Sequence, residues 1–564
     1  MADDVVPLEV AGRTVEVPTG QRLHLALLRS GVLIETPCGS RGKCRKCRVR
    51  VTAGEWPVTS AERDQLSPEE LDAGYRLSCQ QVVRGGGTVA VVPELLISSA
   101  KTGISRLGAA QAAVPTDPWY DRTLLRAGGR PLGLALDIGT TTVVAALLDL
   151  ESGEELAGMS TPNPQGGYGA DLMSRLSYAI TGDAARLELQ AAVVSVLGDL
   201  IGRLCRRARC RPEDILTAAL VGNTAMHHLF FGLPVEDLAL APYVPAVTDA
   251  IQRRPAEIGA GLPIHPQATV YGLPNVAGFV GADAVAVMLA CGLDEPSAAV
   301  RMVADIGTNG EISIAGPSPA AGGRHRVVCC SAPAGPAFEG GEISRGMRAG
   351  PGAVETVEVV YGADGQPMDL RVGVIGGGEA RGICGSGLLD AVAAAVRAGL
   401  LDPGGRVCSD AEAADLPPDL AARVIPGKGG ARGVLLWPDV VLTQKDVRAL
   451  QLAKGAIRSG MEVALREFGV SAEGLDALWL AGAFGNYLHP EAALACGLVP
   501  AVELARLQPV GNAAAQGCKL ALLSAEARTR AEALARTAEH VELATHPDFE
   551  AIFFEALNFP KPLG

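Results

Sequence analysis

Apolar and polar positions alternate in the opening stretch PLEVAGRTVEV around an Ala-Gly-Arg turn, which predicts two short strands joined as a hairpin. The next stretch, QRLHLALLRSG, switches to helical spacing and ends at Gly31, so a ββα opening is expected. Residues 47–52 and 88–92 are two further β-prone runs. Together they predict a small mixed sheet wrapped on one helix over residues 1–94. From 95 to 131 the chain mixes Ser, Gly, Ala and Pro with charge (SSAKTGISRLGAA, then VPTDP) without a sustained period, and reads as a linker.

Beyond residue 132, strand-like apolar runs alternate with long helical stretches. Examples are LELQAAVVSVLGDLIGRLC, TQKDVRALQLAKGAIRSGMEVALREFG and an Ala-rich segment near 521–540. That alternation predicts α/β layers. An internal echo sharpens the picture: LALDIGTTTVVAALLDL around Asp137 returns as MVADIGTNGEISIAG around Asp305. Both copies read as strand, tight Asp-x-Gly-Thr turn, strand. A duplicated fold with two facing lobes, 132–297 and 298–564, is expected.

At 564 residues the chain exceeds what one core usually serves, so two to four domains are expected. A formal charge of −13 argues against a general binder of nucleic acid or anionic membrane. The start MADDVVPLEV lacks the basic and apolar regions of a secretory signal, and no long uninterrupted apolar run suggests a membrane span. A cytoplasmic protein is expected. In that compartment 13 cysteines should be reduced thiols, metal ligands or redox centres rather than a disulfide frame.

Cysteine spacing narrows the choice. Cys38, Cys44 and Cys47 form C-x5-C-x2-C in PCGSRGKCRKCRV, and Cys79 follows in YRLSCQ. Three thiolates on one Gly-containing loop and a distant fourth suit a [2Fe–2S] centre. Zinc could use the same four, but structural zinc usually takes paired Cys-x2-Cys knuckles and only one pair exists here. Arg41, Lys43, Arg45, Lys46, Arg48 and Arg50 surround the ligands and read either as a basic rim for an acidic electron partner or as a plain solvated loop.

The turn at 137–142 joins Gly139, for close backbone approach, to the hydroxyls of Thr140, Thr141 and Thr142, a combination that can cradle phosphate oxygens. Asp137 could hold a hydrated Mg²⁺. Its echo, Asp305 with Gly307, Thr308 and Asn309, would face it from the second lobe and pinch phosphates between two hairpins. No G-x-x-x-x-G-K-[ST] sequence occurs, so a P-loop is excluded. In GICGSGLLD, Gly385 and Gly387 open a helix and could present amides to nucleotide, or simply pack it tightly on a strand. Adjacent His227 and His228 point to different helix faces and read as core rather than metal ligands. Cys384 stands out among the remaining thiols because it sits in the Gly-rich turn. The stretch NPQGGYGADLMSR reads equally as an inter-lobe or partner loop and as plain surface.

These motifs carry resemblances. The cysteine spacing, Gly39, Gly42 and the ββα pattern resemble a β-grasp ferredoxin, close to the variant with five residues in the first gap. That likeness implies that Cys38 and Cys44 hold one iron and Cys47 and Cys79 the other. The paired turns resemble the superfamily of acetate and sugar kinases, heat-shock ATPases and actin, and LWLAGAFGNYL resembles its adenosine motif, with Gly482 and Gly485 letting a flat base lie against backbone. LALDIGTTTVVAALLDL, NPQGGYGAD, GNTAMHHL, DIGTNGEI, GICGSGLLDA and LAGAFGNYL together resemble the reductive activators of corrinoid enzymes over the whole chain. The resemblance implies an ATP-hydrolysing activase with Mg²⁺, Asp137 and Asp305 acting at the phosphates. It would return an inactive Co(II) corrinoid protein of a methyltransferase system to Co(I) with one electron, supplied by an upstream low-potential donor. A homodimer is compatible with that reading. Two other classes fit part of the chain: an ATP-driven electron donor to a dehydratase, which typically bridges a [4Fe–4S] cluster between subunits, and a non-enzymatic nucleotide-gated redox sensor.

Overall fold

The computed structural model describes the chain except residues 1–4, 11–12, 30–33, 35–41, 43–44, 46, 92–115, 118, 170, 428–429, 483–487 and 561–564. The amino-terminal module is the expected mixed sheet. Its strands run Arg13–Pro18, Val5–Val10, Gly87–Val91, Arg48–Ala53 and Tyr75–Leu77 across the sheet, with Val5–Val10 parallel to Gly87–Val91. Helix Leu23–Arg29 lies on it because Leu23, Ala26 and Leu27 share one face and bury against Leu8, Val10, Val17, Leu77 and Val89. Two short helices, Ser60–Gln65 and Pro68–Asp72, are additions to the expected pattern. Each opens on a capping box, Thr59 with Glu62 and Ser67 with Glu70.

The echo seen in the sequence is an echo in space. Strands Leu132–Ile138, Thr142–Asp149 and Glu155–Pro162 form an antiparallel meander, and Ile215–Val221 then Thr269–Gly272 add parallel strands on the other side. Strands Arg301–Ile306, Gly310–Ser318 and Arg324–Ala332 repeat that meander, with Ala477–Ala481 then Leu507–Gly511 in the parallel positions. Helix Asp183–Ala208 covers the first sheet and Gln444–Phe468 the second, both amphipathic with core residues such as Leu189, Val193, Leu197, Leu450, Ile457 and Met461 facing inward. Both sheets are thus covered by helices, as the alternating pattern predicted.

Two features depart from the sequence reading. The Ala-rich segment is two helices, Ala513–Leu523 and Ala525–Thr537, broken at Ser524, whose hydroxyl accepts from Ala527 N. These helices do not stay with the second lobe. Ala513, Ala514, Cys518, Ala521 and Leu522 share a core with Ala135, Ala219, Val285 and Leu289 of the first. The chain then goes back to the second lobe, where Glu539–His540 pairs with Val328 and Cys329, so it crosses between lobes three times. The part of the linker from residue 116 onward is also packed. Arg528 stacks over Trp119 at 4.4 Å, Asp117 accepts from Ala525 N, and Thr116 donates to Glu151 O.

Candidate functional site

Each hairpin closes on its turn through one backbone bond: Gly139 N to Thr142 O and Gly307 N to Asn309 O, both 2.9 Å. A Cβ on Gly139 would sit 2.8 Å from Thr142 O, so that turn needs glycine, whereas a Cβ on Gly307 would meet only Asn309 O, at an ordinary 3.6 Å. The first turn is braced from behind. Asn163 donates to Gly139 O at 2.8 Å, and Asn223, the N-cap of helix Thr224–Phe231, donates to the Thr140 hydroxyl at 2.8 Å. NPQGGYGAD and GNTAMHHL therefore support the first turn. Thr142 lies in the strand opposite Pro162. Thr141 and Thr308 meet across the cleft with hydroxyl oxygens 3.3 Å apart. The two turns are brought together, as the echo implied.

Behind them lies an acidic floor that sequence reading only half identified. Asp137 and Asp305 are joined by Asp283, in the first turn of helix Ala282–Ala290, and by Glu311, the register partner of Asp305. Burial lifts Asp137 to about 6. Burial and the neighbouring carboxylates lift Asp305 and Asp283 each to about 7, and push Glu311 well above the ordinary range. Asn512, at the chain's return crossing, donates to Asp137 at 3.2 Å. None of the four carboxylates has an ion-pair partner among the described residues. Such a floor suits a cation, yet no group of three or more His, Cys, Asp or Glu among the described residues is arranged to hold one directly. A cation held there through water fits, which is how Mg²⁺ usually binds beside phosphates.

The Gly-rich motifs divide. A Cβ on Gly387 would fall 2.0 Å from Val354 O, so this glycine packs helix Gly385–Arg397 against strand Ala353–Tyr361. Gly385 is buried in the first turn, after the N-cap Cys384. Cys384 is also buried, its sulfur 3.2 Å from Val354 O, and burial raises its pKa. Gly482, at φ +95°, abuts the second turn: its Cβ would lie 2.5 Å from Asp305 Oδ1. Gly485 lies outside the described residues. Asp390 and His489, bonded at 2.8 Å, tie GICGSGLLD to the segment after LAGAFGNYL. His227 and His228 are fully buried. His228 is bonded to Thr224 O, and burial takes His227 down to about 3.

In the amino-terminal module, Cys47 and Cys79 are buried with sulfurs 3.2 Å apart, well beyond the ~2.05 Å of a disulfide. Ser78 fixes the pair by donating its N–H and hydroxyl to Cys47 O, and Gln80 Nε2 lies 3.4 Å from the Cys79 sulfur. Two converging buried thiols fit a shared iron. Cys38 and Cys44 fall outside the described residues. The basic rim is partly internal: Arg45 and Arg48 both bind Glu70, and Arg50 donates to Ala73 O. His24, neutral through burial, donates Nε2–H to Gly167 O at 2.8 Å. Gly167 ends the Pro164–Gly167 turn that begins at Asn163, the residue bracing Gly139.

A thiol-rich ferredoxin module seated on a duplicated two-lobed nucleotide fold defines the class, and family comparison agrees. Residues 8–84 match the 2Fe-2S iron-sulfur cluster binding domain, 132–296 the RACo middle region, and 299–563 the C-terminal domain of RACo, the ASKHA domain. The corrinoid activation enzyme RamQ of Eubacterium limosum is 35% identical over 428 residues, 74% of this chain and 68% of that one. A [Co(II) methylated amine-specific corrinoid protein] reductase of Methanosarcina barkeri is 28% identical over 76% of this chain and 77% of its own. A solved reductive activator for a corrinoid, iron-sulfur protein matches with a TM-score of 0.69 and 29% identity, covering 99% of this chain and 98% of that one. The chain belongs to the RACo family of corrinoid-protein reductive activators.

Proposed function

We propose that this protein uses ATP to pass one electron from a [2Fe–2S] cluster to an inactive Co(II) corrinoid protein, restoring the Co(I) nucleophile for methyl transfer. The observation that carries the reading is the meeting of Thr141 and Thr308 from two duplicated turns, beside a module whose Cys47 and Cys79 converge. When bound by Cys38, Cys44, Cys47 and Cys79, the cluster supplies one-electron carriage at roughly −400 mV. Uphill transfer loses about tenfold in equilibrium per 59 mV, so a very low-potential acceptor needs help. The lobes supply it if nucleotide state changes their affinity for the partner. Gly139, Thr140, Thr141, Gly307 and Thr308 would grip phosphates, and Asp137 and Asp305 would face a hydrated Mg²⁺. The upstream reductant is a low-potential donor, and the setting is cytoplasmic. No helix among the described residues is long and apolar enough to cross a membrane.

The test mixes the reduced protein with Co(II) corrinoid protein, with and without Mg-ATP, and follows cobalt by absorbance. ATP-dependent appearance of Co(I) supports the proposal. Asp137→Asn should keep the cluster's visible spectrum and lose that dependence. Unchanged activation by the variant would refute the role of Asp137.

A further inference from the structure

The residue that joins the two turns is one the sequence did not single out. Thr141 donates to Glu339 Oε2 at 2.6 Å and Thr308 donates to Oε1 at 2.9 Å. A threonine hydroxyl has one hydrogen, so both are committed to this carboxylate. The two hydroxyls come from different lobes, and one anion bridges them. A carboxylate presents two oxygens with nearly the bite of two oxygens on a phosphoryl group. Glu339 therefore stands where a phosphate touching both turns would have to stand.

Its surroundings support that role. Glu339 closes the short turn Pro336–Glu339, flanked by Gly335 and Gly340 at φ +75° and +76°. Gly335 N donates to Thr308 O, so the turn hangs from the second hairpin. On the first-lobe side Arg175 is 1% exposed, and the carboxylates whose charge reaches it are Asp171 and Glu339. Its guanidinium is held by Gly169 O and lies 3.4 Å from Met226 Sδ, a poor acceptor for a buried cation. One buried positive charge thus lies within electrostatic reach of the glutamate.

We propose that Glu339 is a built-in stand-in for the nucleotide's terminal phosphate: it latches the two turns together in the absence of triphosphate and must be displaced for a terminal phosphoryl to bind. This rests on the nucleotide reading above. The diphosphate leaves Glu339 in place, whereas the triphosphate must evict one anion with another, so the glutamate sets the balance between the two nucleotides.

The test is calorimetric titration of the full chain, cluster reconstituted anaerobically, with the magnesium complexes of ADP and of a non-hydrolysable ATP analogue. Glu339→Gln keeps the shape and removes the charge. It should tighten the triphosphate by at least about tenfold and change ADP by less than about twofold. Glu339→Ala should show the same ordering. In the wild type, hydrogen exchange of the amides between Ala337 and Gly340 should rise with the analogue but not with ADP, a readout that needs no variant. Equal gains for both nucleotides, no gain, or weaker triphosphate binding overturns the role of Glu339 alone. A wild type that binds neither nucleotide overturns the nucleotide reading as well.

Discussion

Asp305→Asn removes one charge from a pocket that holds three other carboxylates. No described residue donates a hydrogen bond to the Asp305 carboxylate, and burial with the charges of Asp283 and Asp137 lifts it from 3.8 to about 7. At ~1.36 kcal/mol per pH unit, that gap makes the ionised form cost about 4 kcal/mol of stability at pH 8. The sign follows from proton binding. Between pH 3.8 and about 7 the folded protein keeps a proton that the unfolded chain releases. Asp305's contribution is therefore fully present below 3.8 and is lost as pH rises through 7. Asparagine has no such dependence, although its amide still needs partners. The nucleotide-free variant should be more stable than wild type by about 2–4 kcal/mol at pH 8 and nearly equal to it at pH 4. Calorimetric melts of the full chain between these pH values measure the difference. Mg-ATP should stabilise wild type at pH 8 and the variant much less. A variant that is less stable at pH 8, or that shows the same difference at both ends, would refute the electrostatic account.

Three further outcomes are expected. Cys47→Ser should lose the native visible spectrum of the cluster while binding nucleotide as before. An intact native spectrum would remove Cys47 from the ligand set. Gly387→Ala drives a methyl to 2.0 Å from Val354 O, so thermal melts should show a loss of about 3 kcal/mol or more; a neutral result would mean the helix is free to move off its strand. Asn163→Ala strips the brace from Gly139 O and the cap from Gln165 N. At about 1–3 kcal/mol for an orphaned buried group, titration should show nucleotide affinity lower by about tenfold with an unchanged cluster spectrum. Unaltered affinity would show that the turn holds its shape without that brace.

What could be read in advance was what repeats locally. The two hairpins were legible because an apolar strand, a small-residue turn and a second apolar strand occur in one short window, twice. The ββα opening was legible for the same reason. The acidic floor was not, because its members come from segments far apart in the chain. Asp283 looks like an ordinary acid in a helix's first turn, and Glu311 like an outward position on a strand. Asn512 is paired with Asp137 only because the chain returns to the first lobe. Glu339 lies in AFEGG, where a single acid beside glycines resembles any exposed loop. Gly387 shows the opposite failure. A glycine in the first turn of a helix carries the same local signal whether it meets a ligand or a neighbouring backbone, and here Val354 decides. The helices opened by the capping boxes at Thr59 and Ser67 are too short for hydrophobic period to reveal.

The return of helices Ala513–Leu523 and Ala525–Thr537 to the first lobe has a mechanical consequence. The chain passes between the lobes three times, between Leu293 and Arg301, at Asn512 and between Thr537 and Glu539, so the second lobe is stitched to the first at three points rather than hung from one. Asn512 sits at one of these stitches with Asp137. That contact moves least when the lobes shift, while groups farther from the stitches travel most, and the carboxylate beside Asn512 keeps its partner throughout.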